Sequence, residues 1–121
     1  VLGLDPGSRR TGYGIVDACG PDLLHVAHGC IDVKAAEFAT RLRCIHAALS
    51  QLFATYQPVE MAIERVFVSR NVDSALKLGQ ARGAALAAVP ESLPCISTRH
   101  ARSNLQSSVR GRPTKLKCST W

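Results

Sequence analysis

Two carboxylates are placed where chemistry can be done. Asp5 closes the short apolar run Val1 to Leu4, and Glu64 closes another, Val59 to Ile63. If those runs are neighbouring strands, both acids open at one end of a sheet. A pair of hard oxygen ligands is the minimum set for Mg²⁺, which keeps several waters and is completed by substrate phosphates. Taken alone, each acid also has an ordinary reading. Asp5-Pro6-Gly7-Ser8 is first of all a turn former, and an acid at a strand end is common.

The elements that must position this pair can be read from periodicity and punctuation. Thr11 to Val16 and Leu24 to Val33 read as the second and third strands, separated by the turn signal Cys19-Gly20-Pro21-Asp22. Phe38, Leu42, Ile45, Leu49, Leu52, Phe53 and Tyr56 recur at steps of mostly three and four, which predicts a helix with one apolar stripe. Gln57-Pro58 ends it, and Val59 to Ile63 is the fourth strand. A polar loop leads to a second helix over about Val72 to Val89, with Asn71 as N-cap, Asp73 in the first turn and Pro90 beyond the end. Three strands, helix, strand, helix predicts an α/β fold, a mixed sheet with helices packed on it. Gly79 and Gly83 share one face of the second helix near Ala75. Small residues at that spacing suit packing onto the sheet or a two-fold dimer contact, and packing is the slightly favoured expectation.

The chain has 121 residues, enough for one domain. It is 46% hydrophobic and 20% charged, and no apolar run is long enough to span a bilayer. The first residue is not Met and already lies inside a strand, which reads as a fragment at that end. The five cysteines form no CxxC pair and are expected to be small buried hydrophobes or idle thiols of a reducing, cytoplasmic compartment. The four histidines lack partners at metal-ligand spacing and are expected to be structural.

Three phrases carry a resemblance. LGLDPGSRRTGYGIVD from Leu2, AIERVF around Glu64 and SALKLGQARGAA from Ser74 to Ala85 resemble the RuvC-type Holliday junction resolvases, from Leu2 to about Pro94. The resemblance implies an RNase H-like fold and a homodimer. It also implies Mg²⁺-dependent (or Mn²⁺-dependent) cleavage of two strands of four-way junction DNA in recombination and repair, and partnership with the RuvA–RuvB branch-migration complex. Asp5 and Glu64 fall on two of the family's four catalytic, metal-holding acids. Phe67 falls on the aromatic residue that stacks on bases at the junction centre. Its neighbours Arg65, Arg70 and Asn71 fit phosphate or base contacts, and Arg9 and Arg10 fit backbone phosphates. Without the resemblance, Phe67 reads as core and the arginines as solvated surface.

A rival reading starts from the same loop. LDPGSRRTG is also similar to the first phosphate loop of actin and sugar-kinase ATPases. Those need two such domains and a longer chain, and AIERVF and SALKLGQARGAA have no place in them. A further rival is a junction-binding fragment without catalysis.

That last reading gains from the final 27 residues, Cys95 to Trp121, which hold six Arg or Lys, eight Ser or Thr and no acid. Val1 to Pro94 has nine basic and nine acidic residues, so the whole net charge of +6 belongs to this stretch. A basic DNA-binding extension is one account. Reverse translation offers another. With one G restored after the codon of Pro94, permitted synonymous codons read VYQHTPREVKSAVVGQGPADKAQVQHM, which resembles the family's continuation. The expectation is a resolvase core over residues 1–94, incomplete on its C-terminal side, and an out-of-frame, unpaired tail over 95–121. The remaining two family acids would then be absent and the chain inactive.

Overall fold

Burial along the first strand alternates strictly. In β1 (Leu2–Asp5), Leu2 and Leu4 are buried, Gly3 is half-buried and Asp5 is exposed. The same period of two places Thr11, Tyr13 and Ile15 of β2 (Arg10–Cys19), Ala27 and Ile31 of β3 (Asp22–Asp32), and Met61 and Ile63 of β4 (Met61–Glu64) inside. Cross-strand register brings these together on one face: Leu2 lies opposite Ile15 and Met61, and Leu4 opposite Tyr13 and Ile63. The computed structural model describes residues 1–34, 37–65, 70–98 and 114–117, the last as backbone. Among these, one six-stranded sheet runs in the order β5-β4-β1-β2-β3-β6, with β5 at Cys95–Thr98 and β6 at Thr114–Lys117. β1 to β3 are antiparallel neighbours, whereas β1/β4, β4/β5 and β3/β6 are parallel.

Two helices complete the core. α1 (Phe38–Tyr56) buries Ile45, Leu49, Leu52 and Phe53. It ends at Gln57, which takes a left-handed conformation (φ 45°) while its N–H donates to the Phe53 carbonyl at 3.0 Å. α2 (Val72–Ala87) is capped as expected: the Asn71 side-chain oxygen accepts from the Ser74 N–H at 3.1 Å. Its buried residues are Ala81 and Ala85, in one cluster with the α1 and strand residues.

Three expectations need correcting. Gly79 and Gly83 do not pack onto the sheet: both are exposed, and an added Cβ would meet nothing within 4 Å. At 100° per residue they fall on the side of α2 opposite Ala81 and Ala85, and the small side chains that enter the core are those alanines. Secondly, residues beyond Pro94 do pair. β5 extends the β4 ladder from Met61↔Cys95 to Glu64↔Thr98, and β6 pairs with β3 from Gly29↔Thr114 to Asp32↔Lys117. A parallel edge ladder needs only backbone donors and acceptors, and Ile96 and Thr98 are β-branched residues suited to it. All four β5 residues are nevertheless exposed. Thirdly, Cys44 is disulfide-bonded, whereas Cys19, Cys30 and Cys95 are free as expected.

Candidate metal and nucleic-acid site

β1 and β4 are adjacent and parallel, with Leu4 opposite Ile63 as the last paired step of their register. One residue further along, each strand ends: β1 on Asp5 and β4 on Glu64. The two acids therefore sit side by side, with strands roughly 5 Å apart. Both belong to the set of alternate positions opposite in sense to Leu4 and Ile63, so they share the face of the sheet that the apolar core does not occupy. Asp5 is exposed and Glu64 half-buried, so the pair combines access to solvent with a fixed base.

The ground beside them is kept bare by glycine. Asp5 pairs across the sheet with Gly12, where an added Cβ would touch the Asp5 Cβ at 3.8 Å. Gly3 and Gly14 oppose one another on the same face, and a Cβ on Gly14 would meet nothing within 4 Å. A bulky ligand can thus approach the backbone close to the acids.

The loop after β1 is held from within. Thr11, fully buried, donates its hydroxyl hydrogen to the Gly7 carbonyl at 3.2 Å and lies 3.4 Å from the Gly7 N–H, which donates to it. A Cβ at Gly7 would collide with the Arg10 carbonyl oxygen, so only glycine allows the chain to fold back here. Pro6 is buried beneath this turn. Turn chemistry and site geometry are therefore one feature in Asp5-Pro6-Gly7.

Arg9 and Arg10 emerge from this loop, and Arg65, Arg70 and Asn71 from the segment after β4; all five are exposed. They are not equivalent. Arg10 donates from Nε to Asp32 Oδ1 at 2.7 Å, and that hydrogen bond, with the carboxylate's charge, raises its pKa above the ordinary value. It cross-links β2 to β3 and has other N–H groups left for a phosphate. The Arg65 backbone N–H donates to the Thr98 carbonyl at 2.7 Å, tying the start of its loop to β5. The Asn71 side chain is committed to the α2 cap. Phe67 lies outside the described residues.

One contributor escaped the sequence reading. Arg82, half-buried on α2, donates from Nε to the backbone carbonyl of Glu64 at 3.3 Å and from Nη2 to Ser97 Oγ at 2.7 Å. A lone arginine within a run of Ala and Gly is the signal that could have found it.

Among the described residues no third His, Cys, Asp or Glu joins the pair. Two carboxylates fit a hard cation that takes its other ligands from water and phosphate.

The family model described as "Crossover junction endodeoxyribonuclease RuvC" matches residues 1–117. The relative of that name from Alkalilimnicola ehrlichii is 56% identical over 88 residues, 73% of this chain and 53% of the relative. The one from Hahella chejuensis is 50% identical over 109 residues, 90% of this chain and 63% of the relative. Among solved structures, "T. thermophilus RuvC in complex with Holliday junction substrate" superposes with a TM-score of 0.72 at 26% identity, covering 81% of this chain and 64% of that one. The chain thus spans between about half and two thirds of the length of these proteins. The expected RNase H-like mixed sheet with packed helices is the fold observed.

Proposed function

The chain belongs to the RuvC family of crossover junction endodeoxyribonucleases, and from that premise we propose that it carries the DNA-facing core of a Holliday junction resolvase. The observation that carries this reading is the pair Asp5 and Glu64 at the ends of the neighbouring parallel strands β1 and β4, flanked by exposed arginines of two loops. Asp5 and Glu64 would hold Mg²⁺ or Mn²⁺. The chemistry such an ion supplies when bound is activation of water and neutralisation of charge on the leaving oxygen. Arg9, Arg10, Arg65 and Arg70 would hold the sugar-phosphate backbone, and Phe67 would stack on an unpaired base.

We take the functional unit to be a homodimer. The outer side of α2 supports this: Val72, Leu76, Gly79, Gly83 and Leu86 fall within about 80° of one another around the helix, and all are exposed. A two-fold contact through a stripe that is small at its centre lets two helices approach closely.

Binding without cleavage is the reading for the chain as it stands, because among the described residues two acids meet at the strand ends where the family resemblance implies four. We also retain the out-of-frame account of the residues beyond Pro94. One restored G yields family-like sequence there. Sequencing across the codons of Leu93 to Cys95 tests it; an intact active gene without the extra G refutes it.

The function itself is tested with a four-way DNA junction and a linear duplex of equal length. The chain should shift the junction at lower concentration than the duplex. In a chain extended by the family's continuation, Asp5→Asn or Glu64→Gln should remove Mg²⁺-dependent cutting and spare binding. Loss of binding together with cutting would contradict the assignment of roles.

A further inference from the structure

Glu64 differs from Asp5 in how it is held. Asp5 sits on a loop braced by Thr11 and Gly7, all near it in sequence. The backbone of Glu64 is reached by a side chain from another element: Arg82, eighteen residues on, donates from Nε to the Glu64 carbonyl at 3.3 Å. The other arm of the guanidinium reaches Ser97 Oγ on β5 at 2.7 Å. The planar fork thus spans two strand ends from one helix, a geometry that the point charge of lysine cannot reproduce.

The last carbonyl of a strand is usually left to water or to the next turn. Here a cationic donor fixes the plane of the peptide after Glu64. The carbonyl and the side chain share one Cα, so fixing that plane restricts where the carboxylate can aim. The ends of β4 and β5 also become one unit at this edge, reinforced by the Arg65 N–H bond to Thr98. The bond from Arg82 to the Glu64 carbonyl is partly buried, so it is screened less than contacts of the exposed loop arginines.

We propose that Arg82 is a positioning residue: it presets the Glu64 carboxylate for a divalent cation shared with Asp5, and takes no part in holding DNA. This rests on the reading of Asp5 and Glu64 as a cation pair. It assigns to α2, otherwise a packing helix, a direct hold on the site.

The test uses the whole 121-residue chain, labelled with ¹⁵N, and Mn²⁺ as the probe. Paramagnetic broadening of amide signals near Asp5 and Glu64 gives a midpoint concentration, and thermal melting is followed in parallel. Arg82→Gln should raise the midpoint about ten-fold, the lower end of what loss of an outer partner does to metal affinity. Arg82→Lys should raise it by a smaller factor. Ser97→Ala, which loosens β5 and keeps the bond to Glu64, should leave it within two-fold. Equal shifts for Arg82→Gln and Ser97→Ala would make Arg82 a general cross-link and overturn the proposal. If Arg82→Gln does not fold, Arg82→Lys decides, and an unshifted midpoint overturns it. Glu64→Gln separates the two levels. If that change leaves the broadening intact, the cation pair itself is wrong. If it abolishes broadening while folded Arg82→Gln binds as the parent does, only the positioning role falls.

Discussion

The two helices are of similar length and serve unlike ends. α1 presents Ile45, Leu49, Leu52 and Phe53 to the sheet, all buried, and its remaining surface is largely solvated. α2 fully buries Ala81 and Ala85 alone, exposes Val72, Leu76 and Leu86, and sends Arg82 to the end of β4. Buried apolar area stabilises by about 25 cal/mol per Å², so α1 contributes far more to folding than α2. The comparison teaches that apolar content alone does not identify the anchoring helix; the size of the inward residues does. α2 packs through alanine against α1 and the shared core, and Arg82 on its flank reaches the Glu64 carbonyl.

The largest effect should therefore come from α1. Phe53→Ala removes a large side chain that is buried against the sheet and is expected to destabilise by about 3–5 kcal/mol, read by urea or thermal unfolding. A domain of this size has only about 5–15 kcal/mol in total, so the variant should be partly unfolded at 37 °C. A loss below 1 kcal/mol would mean that α1 is not the anchor.

Much of this division was legible beforehand, for a physical reason. Residues of α1 recur at helical steps and are large, so periodicity and burial coincide. β1 and β4 end on acids because apolar runs stop there, and parallel pairing then needed only the fold to place them together. What stayed illegible involves choices that composition leaves degenerate. Gly79 and Gly83 could pack inward or outward, and Ala81 and Ala85 offer the same spacing one step round. Arg82 carries no periodic signal, since its partner is a backbone carbonyl that any residue would supply. β5 was missed because an edge ladder is made by the main chain, and its side chains, all exposed, need no apolar pattern.

An intermediate effect belongs to the start of α2. Asn71→Ala deletes the acceptor for the Ser74 N–H, and about 1 kcal/mol of stability should go with it. Asn71→Asp keeps an acceptor and should restore most of the loss. If Asn71→Asp restores stability and still weakens junction binding, then Asn71 also contacts DNA; unchanged binding confines it to the cap.

The smallest effect on the fold should come from the outer side of α2, and there the sign is informative. Gly83 is exposed with open space around an added Cβ, and glycine within a helix is about 1 kcal/mol less favourable than alanine. Gly83→Leu should therefore leave the isolated chain as stable as the parent or slightly more so. The same side chain would stand between two helices meeting through Gly79 and Gly83, so self-association should weaken by at least ten-fold. Sedimentation equilibrium over a range of concentrations measures that association, and melting at a concentration where the parent is monomeric measures the fold. A variant that is destabilised as a monomer would show that the outer face is packed. A variant that is stable and associates as before would move the dimer contact elsewhere. Only a stable chain with weakened pairing fits a helix whose inner side is for the core, whose flank is for the site and whose outer side is for a second copy.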